Sequence, residues 1–227
     1  MIWLFYPETL ILLIPAFLLA IYAQYKVRSA YAQYLRVPTQ RRITAREAAE
    51  QILHSAGITN VKIETIRQPL GDHYDPRRRT LRLSAPDSTS VAAVGVAAHE
   101  AGHALQHAQG YAPLALRSAI VPVAMFGSQL AFPLFFLGLI FQAASLVNVG
   151  IILFSAAVLF TLVTLPVEFN ASRRAMAALR QAGLVTEGEL GAVREVLSAA
   201  ALTYVASAAM AIAQLLGMLM IAGRRRS

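Results

Sequence analysis

Residues 99–107 read HEAGHALQH, which sets three histidines four residues apart and a glutamate beside the first of them. The surrounding stretch 90–110, SVAAVGVAAHEAGHALQHAQG, predicts a helix that ends near Gly110. Residues four apart lie on one face of a helix, so His99 and His103 can direct their imidazoles at a single ion. This stretch therefore predicts a metal site on a helix.

Glu100 stands beside the histidine face and can reach a water molecule held by the ion. The resulting HExxH pattern is that of zinc peptidases, in which the metal brings the pKa of its water to about 7 and the glutamate acts as general base. The competing interpretation is a helix that carries two solvated histidines. Small residues around the pattern favour the metal site, because they let other elements approach the helix.

His107 is a poor third ligand. It lies about 12 Å beyond His99 along a straight helix, too far for one ion to bridge the two comfortably. The metzincin solution needs Gly at position 106 and His at position 109, where this chain has Gln106 and Gln109. His107 is predicted to line the wall of the pocket, to contact one of the metal-ligating residues, or to be merely polar.

Glu168 is the best candidate for the third ligand, as in His₂Glu catalytic sites. It stands in LPVEFNASRRA, residues 165–175, where the second arm of a predicted membrane hairpin ends. The hairpin would return Glu168 to the side of His99 and His103. The alternative is an interfacial charge paired with Arg173 or Arg174. Three other glutamates fit a helix cap and solvated faces better: Glu187, Glu189 and Glu195.

The composition of the chain points to a membrane protein. Its 227 residues are 57% apolar and only 14% charged, whereas soluble domains carry about 25% charged residues. Lys and Arg exceed Asp and Glu by 20 to 12. In so apolar a chain this excess favours anionic lipid over nucleic acid as the partner. The absence of cysteine excludes disulfides and thiolate ligands.

Three parts of the chain are predicted to cross the membrane. Residues 1–23 form an anchor, because no basic residue precedes the apolar core as it would in a signal peptide. Residues 118–166 form a hairpin of two apolar runs, about 118–141 and 146–166, and the only break between them is the polar pair Ser145 and Asn148. Residues 198–227 form a last transmembrane helix with a basic tail. About four transmembrane helices result.

Residues 24–117 are predicted to be a cytoplasmic zincin-like part that carries the HExxH helix. Thr44 and Glu47 form a capping box before the amphipathic helix AAEQILHSA. The alternating segments VKIETI, 61–66, and TLRLS, 80–84, are predicted to be two strands. The loop between them contains GDHYDP.

Residues 167–197 are predicted to contain the third-ligand helix and a following helix, which a second capping box at Thr186 and Glu189 begins. The predicted fold class is an α+β integral membrane protein. It is mainly helical, with a small zincin-like cytoplasmic domain that carries a short β-sheet.

The basic residues predict the orientation. If 24–117 and 167–195 are cytoplasmic, that side holds 17 of the 20 Lys and Arg. The three arginines at 224–226 would then lie outside. Either short terminal charges are tolerated, or the last apolar run does not fully cross.

Four segments together carry a family resemblance: GDHYDP with RLS, AAVGVAAHEAGHALQHAQGYAPL, LPVEFNASRRA and AAALTYVA. The chain resembles the YugP-type membrane zinc metallopeptidases over nearly its whole length, and more distantly the HtpX-like gluzincins. The resemblance implies a zinc-dependent endopeptidase of the bacterial inner membrane. It implies Zn²⁺ on His99, His103 and Glu168, with Glu100 as the catalytic base.

One position departs from that family. Asp is expected where this chain has Asn170, which can accept a hydrogen bond but bears no charge, so its role near the metal is open. The edge of the TLRLS strand is expected to pair with the substrate backbone. His73, Tyr74 and His107 are candidates for stabilising the oxyanion, although turn chemistry explains the first two equally well.

The expected partners are the lipid bilayer and a protein or peptide substrate, without nucleic acid; the oligomeric state is open. The alternative function is a non-catalytic zinc-binding membrane scaffold. A metal transporter is disfavoured, because transporters place ionisable residues inside their spans. The apolar runs 118–166 and 198–222 contain almost none.

Overall fold

The computed structural model describes residues 7–224, which form a mainly helical protein with one small sheet. Residues 1–6 of the predicted anchor, and Arg225 and Arg226 of the basic tail, lie outside the described residues. The helices and strands are α1 Pro7–Tyr34, α2 Ala45–Ser55, β1 Lys62–Thr65, β2 His73–Asp75, β3 Thr80–Leu83, α3 Val91–Ala108, α4 Ala112–Ile140, α5 Ala144–Gln181 and α6 Glu187–Arg224.

Within residues 7–224, four helices are long and apolar enough to cross a membrane, as the sequence predicted. They are α1, α4, α5 and α6. The turn of the hairpin lies between the two predicted apolar runs, about 118–141 and 146–166, but the polar pair does not mark it. Ser145 and Asn148 lie inside α5, and the chain turns earlier at Gln142, whose φ is 54°. Ser145 falls in the first turn of α5, where polar residues are tolerated because the first N–H groups lack helical partners.

The helices α5 and α6 run without a break for 38 residues each. The sequence instead predicted two parts in each place, an apolar run and a separate polar helix. A change of surface character alters what a helix packs against, but it leaves the backbone hydrogen bonds intact. The capping box at the start of α6 is present: Glu189 Oε2 accepts from the Thr186 N–H at 2.7 Å, and Thr186 Oγ1 accepts from the Glu189 N–H at 3.3 Å.

The described chain divides into two compact units. The apolar unit comprises residues 7–24, Leu116–Leu165 and residues 202–224. Within it α4 and α5 approach closely, because a Cβ on Gly127 would lie 2.8 Å from the carbonyl oxygen of Leu153. Arg224 Nη1 lies 2.7 Å from Glu8 Oε1, so the end of α6 meets the start of α1.

The polar unit comprises Tyr25–Ala115 and Pro166–Ala201 and contains the sheet. The strand order is β1-β3-β2, with β3 parallel to β1 and antiparallel to β2. The two predicted strands are confirmed as β1 and β3, but TLRLS lies at the centre of the sheet and not at an edge. A third strand, β2, forms within the predicted loop, because Asp75 Oδ1 accepts from the N–H groups of Arg77 and Arg78 and turns the chain.

Helix α3 forms the centre of the polar unit. Ser90 caps its N-terminus by accepting from the Ala93 N–H at 3.2 Å, and Gly110, with φ of 63°, follows its C-terminus. Leu81 and Leu83 of β3 belong to the same fully buried core as the small residues of α3. The capping box of α2 is also confirmed, with Glu47 Oε2 2.8 Å from the Thr44 nitrogen.

Candidate metal centre

The HExxH helix α3 packs directly against α5 at Gly102. A Cβ on this residue would lie 2.6 Å from the carbonyl oxygen of Ala171, a distance that real Cβ atoms do not adopt. Only glycine therefore permits this approach. Gly102 lies between His99 and His103 on α3, and Ala171 lies one turn after Glu168 on α5. The contact thus brings the three candidate ligands together.

His99, His103 and Glu168 form one cluster. The distances from Glu168 Oε2 are 3.2 Å to His99 Nε2 and 3.6 Å to His103 Nε2. One ligand atom from each residue lies within 4.8 Å of the others. Tetrahedral Zn²⁺ with ligands at 2.0–2.1 Å separates neighbouring ligand atoms by about 3.3 Å. The two distances from Glu168 are close to this value, and imidazole nitrogens with a carboxylate oxygen are ligands that zinc takes, so this cluster could hold zinc.

The cluster is buried. Glu168 is 2% exposed and His103 is 7% exposed. A buried carboxylate is costly without a positive partner. In the metal-free protein burial disfavours the charged form of His103. The neighbouring carboxylates of Glu168 and Glu100 outweigh that effect, so the pKa of His103 lies above its usual value. The site thus favours positive charge at this point, which a cation would also satisfy.

Glu100 is placed beside the cluster but outside it. It is 8% exposed, and within residues 7–224 its carboxylate has no hydrogen-bond partner. Its charge nevertheless acts on His103.

The alternative role for Glu168 was a surface ion pair with Arg173 or Arg174. Glu168 is buried, so it does not lie at the surface. Glu168 lies against the two histidines. Arg174 instead donates from Nε to Asn170 Oδ1 at 2.6 Å and from Nη1 to Gln109.

Two side chains that the sequence did not single out contact the histidines. Ser172 Oγ lies 3.1 Å from His99 Nδ1, and Gln106 Oε1 lies 3.0 Å from His103 Nδ1. The sequence carried a weak indication of both contacts. Ser172 lies four residues after Glu168, and Gln106 lies three residues after His103, so each shares a helix face with a candidate ligand. Metal-binding histidines usually donate their second N–H to such a group.

The other predicted site residues lie elsewhere. His107 Nδ1 is 2.8 Å from the hydroxyl of Tyr74, and the two line a cavity of about 330 Å³ with the loop 57–61. His73 is exposed, with Nδ1 2.8 Å from the Gly71 carbonyl oxygen and Nε2 3.1 Å from Arg82. Asn170 contacts Gln106 rather than a histidine.

Comparisons with known proteins identify the family of the chain. A family described as "Putative neutral zinc metallopeptidase" matches residues 9–223. The protein "Putative membrane protease YugP" of Bacillus subtilis (strain 168) is 47% identical over 212 residues, which cover 92% of this chain and 94% of that protein. No solved structure matches the chain. With a zinc-compatible cluster and a match over almost its entire length, the chain belongs to this family of neutral zinc metallopeptidases.

Proposed function

We propose that this protein is a zinc-dependent endopeptidase of the membrane, of the HExxH gluzincin type. The observation that carries the proposal is the convergence of His99, His103 and Glu168 on one point. Three protein ligands leave the fourth position of zinc open, which is the pattern of catalytic rather than structural sites. His99 and His103 would hold the ion through Nε2, and Glu168 would hold it through Oε2.

Bound zinc supplies Lewis-acid chemistry, which activates water and polarises the scissile carbonyl. Glu100 accepts the proton of the attacking water and then donates it to the leaving amine. Its position beside His103 and its lack of a hydrogen-bond partner within residues 7–224 suit this role. Burial of the site strengthens these electrostatic interactions.

The Tyr74–His107 pair is the better candidate for stabilising the oxyanion. Tyr74 is half-buried, and its hydroxyl contacts His107, one helical turn beyond His103. Both ring nitrogens of His73 already have neighbours, the Gly71 carbonyl oxygen and Arg82. If this assignment holds, Tyr74→Phe lowers kcat while zinc content stays unchanged. Equal kcat in the two proteins would exclude Tyr74.

Glu100→Gln tests the mechanism. The amide keeps the shape of the side chain but cannot accept the proton, so hydrolysis of an unfolded casein-like substrate should fall at least about a hundredfold. Zinc content should remain unchanged. The purified full-length protein in detergent is assayed for cleavage by gel electrophoresis and for zinc by atomic absorption.

The matched control is Glu50→Gln, the same change at an exposed position of α2, which should keep full activity. Full activity in Glu100→Gln would contradict the mechanism. Stoichiometric zinc binding by the wild-type protein, with no cleavage of unfolded or membrane substrates, would favour the zinc-binding scaffold instead.

We further propose that residues 24–117 and 167–195 face the cytoplasm of a bacterial inner membrane. The support is the placement of 17 of 20 Lys and Arg on one side. The contact of Arg224 with Glu8 favours a last helix that crosses completely, because the start of α1 and the end of α6 then lie on the same side. An ion pair also lowers the cost of a basic group outside.

Single cysteines test this orientation, since the natural chain has none. Gln51→Cys, on the exposed face of α2, should resist a membrane-impermeant thiol reagent in intact cells and react after permeabilisation. Phe141→Cys, in the connection between α4 and α5, is the matched control and should react in intact cells. Labelling of Gln51→Cys alone in intact cells would reverse the topology.

A further inference from the structure

A chain of hydrogen bonds runs from α5 to His103. Arg174 Nε donates to Asn170 Oδ1 at 2.6 Å, and Gln106 Nε2 donates to the same oxygen at 2.9 Å. Gln106 Nε2 also donates to the carbonyl oxygen of Val167 at 2.8 Å. The other end of the Gln106 amide, Oε1, lies 3.0 Å from His103 Nδ1.

The direction of every bond in this chain is fixed by groups that have only one role. A backbone carbonyl can only accept, so the Gln106 atom facing Val167 is the NH₂ group. A guanidinium can only donate, so the Asn170 atom facing Arg174 is the oxygen, which again requires the NH₂ of Gln106 opposite it. The amide orientation of Gln106 is therefore determined at two independent points, and its oxygen must face His103.

An amide oxygen can only accept, so His103 Nδ1 must carry a hydrogen. We infer that Gln106 is a positioning residue that keeps the His103 proton on Nδ1 and thereby presents the Nε2 lone pair to the metal. The inference deepens the proposed function and rests on it, because it concerns the same metal centre. It assigns a role to a side chain that touches no substrate and acts only through His103.

Gln106 is fully buried, so water cannot replace it as the acceptor. The corresponding contact of His99 is less restrictive, because the hydroxyl of Ser172 can either donate or accept. The two histidines thus differ. The amide of Gln106 fixes the tautomer of His103, whereas the tautomer of His99 is fixed only when the residue binds the metal. Asn170, where the family resemblance implies Asp, takes part as the acceptor that Arg174 and Gln106 share.

Gln106→Met tests the inference, since methionine has similar length and no polar end. The Kd for Zn²⁺ is measured on the full-length protein in detergent by competition with a chromophoric chelator. We expect the Kd to rise about 10- to 100-fold, the usual effect of removing the partner of a ligating histidine. Gln51→Met, at an exposed position of α2, should leave the Kd within about twofold of wild type.

Histidine-labelled NMR of the zinc-loaded protein gives a readout that packing alone would not change. In the wild type and in Gln51→Met, His103 should show an Nδ1-bound proton shifted downfield and protected from solvent exchange. In Gln106→Met that resonance should move upfield and exchange faster. Asn170→Leu should raise the Kd less than Gln106→Met, because Gln106 retains the Val167 carbonyl as an acceptor.

The outcomes separate this inference from the function it rests on. If wild type binds zinc, Glu168→Ala does not, and Gln106→Met binds as tightly as wild type with an unchanged resonance, only the positioning role fails. If wild type binds no zinc, or Glu168→Ala binds it equally well, the proposed site fails and the inference with it. If Gln106→Met does not fold, the wild-type spectrum still decides, since a proton on His103 Nε2 would overturn the assignment.

Discussion

Helix α5 packs closely against two other helices, and each contact is made at a glycine. The two contacts differ in the side chains that surround the glycine. Against α4, within the apolar unit, Gly127 approaches the Leu153 carbonyl oxygen so closely that a Cβ would lie 2.8 Å away. Against α3, within the polar unit, Gly102 approaches the Ala171 carbonyl oxygen, and the corresponding distance is 2.6 Å. In both contacts glycine lets two backbones come together.

The side chains beside the two contacts are opposite in character. The α4–α5 contact lies among aromatic and aliphatic residues such as Phe135 and Phe154, whose burial requires no partner. The α3–α5 contact lies beside Glu168 and His103, each of which needs a specific partner when buried. Close approach is common to both helix pairs, and the buried polar residues make one of them a candidate metal centre.

Removing the carboxylate from the α3–α5 contact should have the largest effect. In Glu168→Ala the zinc content should fall from about one ion per chain to near zero, because two histidines on one helix fill only two positions of the ion. His107→Ala is the control and should keep its zinc, since His107 contacts Tyr74 and not the cluster. Atomic absorption on both purified variants decides, and loss of zinc from the His107 variant alone would refute the site.

Replacing each glycine with alanine tests the close approach of the backbones separately from the side chains around it. Gly102→Ala and Gly127→Ala should each destabilise the protein by about 1–3 kcal/mol, because the new Cβ meets a backbone carbonyl that cannot move aside. Only Gly102→Ala should also lose zinc affinity, since the helices that carry the ligands must separate. Thermal unfolding and chelator competition measure the two effects. Equal zinc affinity in both variants would show that the site tolerates the shift.

Without metal, the stability contributed by the α3–α5 contact should depend on pH. The pKa of His103 is raised, because the carboxylates of Glu168 and Glu100 outweigh burial. The stability that its charged form contributes is therefore fully present below the usual imidazole pKa and is lost as pH rises through the raised value. Zinc competes with that proton, so its affinity should rise about tenfold for each pH unit below the raised pKa.

The increase in melting temperature on adding zinc should thus grow with pH over this range. Melting curves with and without Zn²⁺ between pH 6 and about 8.5 measure it. Glu168→Ala provides the control, since a protein without the third ligand should show no such increase at any pH. A zinc effect that is constant across the range would contradict the competition.

The smallest expected effect is a difference in zinc affinity between variants of two serines of α5. Ser172 contacts His99 Nδ1, whereas Ser155 Oγ donates to the Ile151 carbonyl of its own helix at 2.8 Å. Ser172→Ala should weaken zinc binding about tenfold, at the lower end for partners of ligating histidines. Ser155→Ala should leave it unchanged. A chelator titration compares them, and equal affinities would remove Ser172 from the site.

Much of the candidate site was predictable because it depends on local spacing. HExxH sets His99, Glu100 and His103 on adjoining faces of one helix, whatever that helix packs against. The capping boxes at Thr44 and Thr186 were predictable for the same reason, since each involves four consecutive residues. Glu168 was selected as the acidic residue where the hairpin returns, and the structure places it against the two histidines.

The failed predictions all concern contacts between distant segments, or the continuity of a helix. The strand β2 was read as a loop, because three residues carry too little pattern to indicate pairing. TLRLS became the central strand once β2 paired with its free side. The turn of the hairpin lies between the two predicted apolar runs, but Ser145 and Asn148 lie within α5, because polarity alone does not end a helix.

The sequence by itself thus determined that the described part of the chain has four apolar helices long enough to cross a membrane. It also determined a helix bearing two histidines and a glutamate on adjoining faces. These features follow from hydrophobic content and helical periodicity, which are properties of short stretches. Only the tertiary structure decided that Gln106 and Ser172 contact the histidines and that Gly102 allows this approach. The reason is that a hydrogen bond between residues some sixty positions apart in the chain depends on how two helices dock, and no local pattern encodes that distance.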